Sequence, residues 1–474
     1  MSVSNVSVGP SGQFCMVIRL PVAHATGRGC VGFPSLNRIL IVLARCVVAA
    51  KILDGVGGRG WTALAKEALG FRSYLVPTPA TPQPTTQIHE RTAKSSRRLR
   101  VGNLPTNRYK TLDVRYFHSS IRKRLSMDLL QLLTQTPSVP GRESRIRAVI
   151  EDYISSKSLF DEIHTDAMGS LIAVRKARPA DGKAAPTPTK VMLAAHMDQI
   201  GFLVRHIDDN GFVRVNPVGG FDTRNLFART VKVCTKGGDL TGVMNPGGRP
   251  IHIATDDEKK KVPLIGDFFI DLGMQADAVH EQVQVGDMVV LDGPFHEVGD
   301  YVVSQCLDNR VGCWAQIRAI EELSHHSCDI YAAWTVQEEV GLRGATAAAF
   351  GIDPDIGIAC DTTLCCKTPG VPDEDRVTVP GDGVALHVMD SSMISDIGLI
   401  EDLEKIAAEK GIKNQRAILP RGGQDGAAIQ RSRSGVRTVS FACPVKYIHT
   451  VTEMSHKEDL ESYPALLTAW LETL

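Results

Sequence analysis

The chain has 474 residues, of which 43% are hydrophobic, 22% are charged and 5% are aromatic, and its formal net charge is zero. This composition is typical of a soluble globular protein built from two or three structural units, and it excludes a disordered, fibrous or membrane-embedded chain. Without a basic excess there is no general attraction to nucleic acid, so we expect no nucleic-acid partner.

Residues 1–126 differ in composition from the rest of the chain. They contain many basic and few acidic residues, and residues 76–87 are rich in proline and threonine. The Arg-rich, acid-poor stretch at residues 91–124 is typical of an organellar transit peptide. An unstructured extension, or a start codon placed too early, accounts for the same composition. We therefore predict that residues 1–126 form a disordered or targeting extension.

Two further features bear on the location of the protein. The apolar run Ile39–Leu53 is too short and too charged to span a bilayer, so we expect no membrane partner. The 11 scattered cysteines favour free thiols in a reducing compartment. The sequence thus predicts a cytoplasmic protein, or a mitochondrial or other organellar one if the extension is a transit peptide.

From Met127 the pattern becomes that of a globular domain. A short apolar helix is followed by a proline-containing turn, and apolar residues then recur at helical spacing over residues 146–153. The β-branched runs at residues 169–174 and 191–195 predict two short buried strands. His196 directly follows the second run.

Residues 201–299 change character again. Alternating apolar and polar residues predict strands at 211–215, 231–235 and 288–291, separated by glycine-containing turns. After residue 300 helices and buried strands alternate once more, which is typical of an α/β fold. The helices are predicted at residues 311–323, 394–410, 424–430 and 457–474, and the strands at residues 330–336, 356–360 and 436–441. The pattern indicates one α/β domain, residues 127–200 and 300–474, that is split by a small all-β insert, residues 201–299.

Five segments place a histidine or an acid directly after an apolar, strand-like run or at the start of the next loop. The side chains are His196, Asp308, Glu339, Asp361 and His449. Each alone is weak evidence, because a histidine there is more often structural and an acid is often a helix cap. Open α/β sheets bind ligands at the carboxyl ends of their strands, so we expect the five to converge. Two imidazoles and three carboxylates suit zinc, cobalt or manganese rather than calcium, and a pair of such ions activates water against a carbonyl.

The five side chains named above form a candidate metal cage. Two more acids, Glu338 and Asp198, have predicted roles beside it. Glu338 and Glu339 are adjacent and point in different directions, so one can bind metal while Glu338 acts as general base. Alternatively, both are solvated acids at a helix start. Asp198 stands two residues after His196 and is predicted to accept the second imidazole N–H, although a turn residue would look the same.

The motifs resemble those of a known family, the tetrahedral aminopeptidases, which include glutamyl aminopeptidases and proteins once called cellulase M. The matching segments, in order, are AHMDQIGF, LDNRVGC, TVQEEVGLRGA, ACDTT, HVMDSSMI, RGGQDGAAI and KYIHT. The resemblance runs from Met127 to the C-terminus and covers none of residues 1–126. It implies a peptidase-like α/β/α sandwich with a mixed sheet, whose insert is a small β-barrel dimerisation domain. It also implies a homo-oligomer in which dimers assemble into a hollow tetrahedral dodecamer.

The resemblance further implies a role for each cage residue. Asp308 would bridge two divalent metal ions per subunit, zinc in the first place and cobalt or manganese as alternatives. Glu339 and His449 would bind one ion, and His196 and Asp361 the other.

The implied reaction is hydrolysis of the first peptide bond of peptides with a free N-terminus, through a metal-bridging water and Glu338 as general base. Three residues depart from the usual family motifs: Gln199, Gln424 and Gly426. The altered segment surrounds Asp425, which we expect to help hold the substrate near the metals, unless it merely caps a helix.

Three other functions remain open at this stage. A glycoside hydrolase, as some relatives are called, needs two carboxylates and no metal cage. A non-catalytic scaffold could keep the fold after losing the chemistry. A carboxypeptidase or deacylase on the same fold would share the metals and differ only in its substrate pocket.

Overall fold

The structure is a computed structural model that describes residues 127–183 and 185–474, together with the backbone of two strands near the N-terminus. The chain divides into two compact units, Met1–Thr106 and Asn107–Leu474. In the first unit, strands β1 (Ser2–Val8) and β2 (Phe14–Arg19) pair antiparallel. The predicted targeting stretch at residues 91–124 lies outside the described residues. No helix in the described part of the chain is both long and apolar enough to cross a membrane.

The second unit contains helices of very different lengths. Their bounds are residues 127–134 (α1), Ser144–Ser156 (α2), Asp256–Lys260 (α3), Ala276–Gln282 (α4), Leu307–Glu322 (α5), Arg343–Ile352 (α6), Ile397–Lys410 (α7), Gly426–Gln430 (α8) and Lys457–Leu471 (α9). The strands are Glu162–Thr165 (β3), Leu171–Arg175 (β4), Lys190–His196 (β5), Gly201–Ile207 (β6), Val213–Val218 (β7), Arg229–Thr235 (β8), Gly238–Pro246 (β9), Phe268–Asp271 (β10), Met288–Leu291 (β11), His296–Val298 (β12), Tyr301–Ser304 (β13), Asp329–Thr335 (β14), Ile356–Leu364 (β15), Val384–Met389 (β16), Asn414–Ile418 (β17), Arg437–Lys446 (β18) and Glu453–His456 (β19).

The larger sheet is mixed. Its strands follow the order β12-β13-β19-β18-β15-β5-β14-β4-β3, with β16 and β17 attached beside β18. The four central strands, β14, β5, β15 and β18, are parallel, and the outer pairs on both sides are antiparallel. All four parallel strands therefore present their carboxyl ends at one edge of the sheet.

Helices cover both faces of this sheet. Along β5, Val191 and Leu193 belong to a large buried core with α1, α2, α5, α7 and α9. Met192 and Ala194 point the other way, into a second core with α6 and α8. Because alternate strand residues face opposite sides, a strand buried on both sides reads as one continuous apolar run. The predicted α/β/α sandwich is confirmed.

The insert forms a closed barrel of six antiparallel strands, in the order β10-β7-β6-β11-β8-β9. Phe202, Val231, Met244 and Ile270 fill its separate core. The predicted inserted barrel is thus confirmed. Its strands end at Leu291, and the next strand, β12, already pairs with β13 of the larger sheet.

Two strands are longer than the sequence pattern predicts. Strand β15 continues past Cys360 to Leu364, and β18 continues past Phe441 to Lys446. The two pair in parallel along their whole length, up to Leu364 opposite Val445. Polar residues 361–363 are therefore buried within a strand, where an apolar pattern would not detect them.

Helix α5 packs closely on β15, and Gly312 makes this approach feasible. A Cβ atom on Gly312 would lie 2.3 Å from the carbonyl oxygen of Cys360 and 2.4 Å from Oδ1 of Asn309. Asn309 itself donates from Nδ2 to the Cys360 oxygen at 2.8 Å. This contact fixes the start of α5 beside the strand that carries Asp361.

We predict that Gly312→Ala lowers the free energy of unfolding by about 1–3 kcal/mol, because the methyl group overpacks the α5–β15 contact. Gly351→Ala, near the end of α6, is the matched control, since nothing lies within 4 Å of its Cβ position. The control should be neutral or more stable by up to about 1 kcal/mol. Urea denaturation measures both, and an unchanged Gly312→Ala protein would contradict the close packing.

Candidate metal centre

The carboxyl ends of the parallel strands bring the predicted ligands together. His196 is the last residue of β5 and pairs with Thr335, the last residue of β14. Asp361 lies on β15, the neighbour of β5 on its other side. Glu338 and Glu339 follow β14, and His449 follows β18. Asp308 enters from the start of α5, where its backbone angles are non-helical and its peptide bond to Asn309 is cis.

Asp308 lies between the two imidazoles. Its Oδ1 atom is 3.3 Å from Nε2 of His196, and its Oδ2 atom is 3.4 Å from Nε2 of His449. Nε2 of His196 is also 3.7 Å from Oδ1 of Asp361, and Nε2 of His449 is 3.5 Å from Oε2 of Glu339. One oxygen of Asp308 thus lies in a group with His196 and Asp361. The other lies in a group with His449 and Glu339.

Residues 127–183 and 185–474 contain three sets of side chains in which the possible ligand atoms of each set lie within 4.8 Å of one another. Two of them share Asp308, one with His196 and Asp361 and the other with Glu339 and His449. This division is the one that the resemblance implied. The third set joins His196, Glu338 and Glu339, so Glu338 borders the cage without sharing Asp308.

The cage has more negative than positive charge in a largely buried space. Burial raises the pKa of Asp361 to about 6 and that of Glu338 well above its usual value. Burial alone would lower the pKa of His449, but the carboxylates of Asp308 and Glu339 raise it to about 11. Both effects mean that the carboxylates need positive charge nearby. Nitrogen and oxygen donors with this charge fit divalent transition-metal ions.

Asp198 has a different contact from the predicted one. Nδ1 of His196 contacts the main-chain oxygen of Asp198 at 3.0 Å, while the carboxylate oxygen of Asp198 is 3.7 Å away. The carboxylate instead accepts the backbone N–H groups of Glu338 and Glu339, each at 3.1 Å. Asp198 therefore orients three cage residues, one through its backbone and two through its side chain.

Sequence reasoning missed three residues that hold this edge together: Glu143, Arg310 and Glu453. Glu143 is buried and accepts the N–H of Gln337 at 3.1 Å, directly before Glu338. Glu453 accepts two further backbone N–H groups of cage residues. Their sequence contexts carry no metal-site pattern, so only the folded contacts identify them.

Arg310 is fully buried, which is rare for arginine. Its guanidinium donates to the carbonyl oxygens of Leu133, Thr136 and Met197 and to Oγ of Ser138. It thereby joins α5, which carries Asp308, to the segments before α2 and after His196. In the sequence it reads only as the charged end of the LDNR segment.

Left-handed backbone conformations cluster around the cage. Cys306, Gln337 and His449 have φ angles of 60°, 57° and 65°, although none is glycine. Each such residue costs on the order of 1 kcal/mol or more and persists only where its surroundings impose it. The strained residues lie two positions before Asp308, directly before Glu338 and at His449.

A cavity of about 600 Å³ opens onto the cage. Its other walls include Thr362, Thr363, Leu419, Arg421 and Gln424. Among the described lining residues, Arg421 carries the one guanidinium or ammonium group. Its side chain is exposed and has no hydrogen-bond or ion-pair partner within residues 127–183 and 185–474.

Asp425 differs from its predicted role. It is 2% exposed, does not line the cavity, and accepts a hydrogen bond from Oγ1 of Thr335. Burial raises its pKa to about 7. Because Asp425 lies beneath the cage, the predicted direct contact with substrate is replaced by a contact within the protein. The neighbouring Gln424 is also a support, since Nε2 donates to the carbonyl of Thr362 at 2.7 Å.

Comparisons with known proteins agree with one another. The profile of the family described as M42 glutamyl aminopeptidase matches residues 169–466. A putative aminopeptidase of Acetivibrio thermocellus is 37% identical over 72% of this chain and 96% of its own length. The lysyl aminopeptidase of Pyrococcus furiosus is 32% identical over 73% of this chain and 97% of its own. The solved TET1 peptidase of Pyrococcus horikoshii, described as assembling into a tetrahedron or a large octahedral shell, has a TM-score of 0.64 and 33% identity and covers 74% of this chain and 100% of its own.

Proposed function

This chain belongs to the M42 glutamyl aminopeptidase family. We propose that it uses two divalent metal ions per subunit to remove the N-terminal residue of peptides. The observation that carries this proposal is the position of Asp308. Its two oxygens lie 3.3 Å and 3.4 Å from Nε2 atoms of two different histidines, His196 and His449. A carboxylate in this position can bridge two ions.

The ligand sets follow from the same distances. Asp308 would bridge the ions, His196 and Asp361 would hold one, and Glu339 and His449 would hold the other. The mixed nitrogen and oxygen donors favour zinc, with cobalt or manganese as alternatives. When bound, a pair of such ions polarises the scissile carbonyl and lowers the pKa of water.

Glu338 would act as the general base. Its Oε2 atom lies 3.8 Å from Nε2 of His196, at the border of the cage and at the wall of the cavity. This position beside the ligands and open to the cavity suits a carboxyl that takes a proton from water and gives it back. It would accept the proton of the attacking water and transfer it to the departing amine.

The first side chain of the substrate would face the wall that carries Arg421. The family name refers to glutamyl and one relative is a lysyl aminopeptidase, so kinship alone leaves the sign of the preferred charge open. An unpaired guanidinium on the cavity wall attracts a carboxylate and repels an ammonium group. Arg421 therefore favours peptides that begin with glutamate or aspartate.

The barrel would serve as a dimerisation domain, with dimers assembling to a dodecamer. One solved relative is described as assembling into a tetrahedron or a large octahedral shell. The connection between barrel strands β9 and β10 exposes apolar side chains, with Ile251, Ile253, Val262 and Leu264 between 56% and 72% exposed. Exposed apolar groups of this kind are typical of protein contacts.

The other functions have less support. Glycoside hydrolysis needs two carboxylates, and it would leave both cage histidines without a purpose. A non-catalytic scaffold has no need for Glu338 beside intact metal ligands. A deacylase or carboxypeptidase would share the cage, so only substrates distinguish it.

We predict that the protein trims peptides with a free N-terminus and leaves N-acetylated peptides intact. A chelator should abolish the activity, and added Zn²⁺, Co²⁺ or Mn²⁺ should restore it. A panel of paired free and acetylated peptides, analysed by mass spectrometry, measures this. Equal cleavage of blocked peptides, or activity that survives the chelator, would reject the aminopeptidase proposal.

Glu338→Gln should retain both metal ions and lower kcat by about 10²- to 10⁴-fold, because the base is lost while the ligands remain. His449→Ala should lose metal as well as activity. Metal content by elemental analysis and kcat on one peptide separate the two variants. A Glu338→Gln protein with a near-normal rate would exclude Glu338 as the base.

Arg421→Ala should lower kcat/KM for a peptide that begins with glutamate by about ten- to a hundredfold, the value of a charged hydrogen bond. Arg421→Glu should shift the preference towards N-terminal lysine. Arg431→Ala is the control, because this exposed arginine donates to the carbonyl of Ala427 and lines no part of the cavity. Unchanged selectivity in both Arg421 variants would contradict the assignment.

A further inference from the structure

Glu453 contacts the backbone of two cage residues at once. Its Oε2 atom accepts the N–H of Asp308 at 2.9 Å, and its Oε1 atom accepts the N–H of His449 at 2.7 Å. The residue is 2% exposed. Each oxygen of a single buried carboxylate thus holds one member of the group Asp308, Glu339 and His449.

The position of Glu453 follows from the order of the sheet. Strand β19, which begins at Glu453, lies between β13 and β18 and is antiparallel to both. The start of β19 therefore lies at the carboxyl ends of its two neighbours. β13 leads into Asp308, and β18 leads into His449. Glu453 is itself paired with Ser304 in the ladder, so the carboxylate stands on a fixed strand.

Both N–H groups belong to residues with an irregular backbone conformation. Asp308 has φ −78° and ψ 112°, outside the helical region although α5 has begun, and His449 is left-handed with φ 65°. A buried backbone N–H without an acceptor costs about 1–3 kcal/mol. The Glu453 carboxylate satisfies both groups, and it does so only while both residues keep the conformation that points their side chains at each other.

We propose that Glu453 is a positioning residue of the metal centre, which sets the distance between Asp308 and His449 and so determines the affinity for the ion that these two share with Glu339. The inference rests on the proposed function, since it assumes that the cage binds metal. Asp198 makes the same kind of contact at the segment after β14, where its carboxylate accepts the N–H groups of Glu338 and Glu339. The His196 and Asp361 side of the cage has no contact with Glu453 among the described hydrogen bonds.

Glu453→Gln is the decisive variant. Glutamine has the same shape but only one acceptor oxygen, and its NH₂ group would face a backbone N–H. Either Asp308 or His449 then loses its anchor. Loss of an outer contact of this kind typically weakens metal binding by about 10- to 100-fold.

Asp459→Asn is the matched control. Asp459 is also fully buried, and its carboxylate accepts the backbone N–H groups of Gly381 and Gly383 at 2.9 Å and 2.8 Å. The variant Asp459→Asn makes the same change from carboxylate to amide, at a residue that contacts no ligand of the cage. A general effect of losing a buried carboxylate would appear in both variants.

The experiment titrates full-length, metal-stripped protein with Zn²⁺ against a chromophoric chelator, and follows Co²⁺ absorption in parallel. Asp459→Asn should bind each of the two ions with the same affinity as wild type does. Glu453→Gln should bind the ion held with Glu339 and His449 about 10- to 100-fold more weakly, with a changed Co²⁺ spectrum. The ion held with His196 and Asp361 should show a smaller loss, because it shares only Asp308 with the weakened group.

The positioning role would be overturned if Glu453→Gln bound both ions as tightly as wild type. Losses of the same size in Glu453→Gln and Asp459→Asn would overturn it as well. If Glu453→Gln does not fold, Glu453→Asp keeps both oxygens but withdraws them, and it should weaken the same ion most. Unchanged binding in a folded Glu453→Asp protein would also overturn the role. Wild type that binds no metal would instead refute the proposed function itself.

Discussion

The placement of one carboxylate, Asp308, between two imidazoles is the constraint on which the rest of the site depends. The imidazoles come from the ends of two strands, β5 and β18, that are separated in the sheet by β15. Asp308 arrives from a third direction, at the start of α5. To keep its oxygens 3.3 Å and 3.4 Å from the two Nε2 atoms, the protein must fix three independent segments to within a few tenths of an ångström. Van der Waals packing of apolar side chains alone does not give that precision for polar atoms.

Buried polar contacts provide the precision. Asp198, Glu143 and Glu453 accept backbone N–H groups of the residues that carry or precede the ligands, and Arg310 ties α5 to its neighbours. Such groups are costly to bury unless every partner is present, so they impose one arrangement on the chain. The left-handed conformations of Cys306, Gln337 and His449 are strained, and this arrangement keeps them. The free energy gained by burying the two apolar cores of the sandwich offsets that strain.

The sequence predicts the strands and most of the cage because both depend on local patterns. A strand buried on both faces reads as an apolar run, and a ligand at its carboxyl end follows that run directly, as His196 does. Local patterns do not reveal buried polar residues. Residues 361–363 lie inside β15, and Asp425 faces Thr335 rather than the cavity. The roles of Glu453 and Arg310 cannot be predicted from local patterns, because each has hydrogen-bond partners that are distant in sequence and that it meets only in the folded protein.

Anomalous diffraction at the zinc edge, from crystals of the zinc-loaded protein, tests whether Asp308 bridges two metal ions. We expect two peaks about 3.5–4 Å apart, with one oxygen of Asp308 on each. One peak should lie beside His196 and Asp361 and the other beside Glu339 and His449. A single peak, or two peaks of which only one contacts Asp308, would contradict the bridging role.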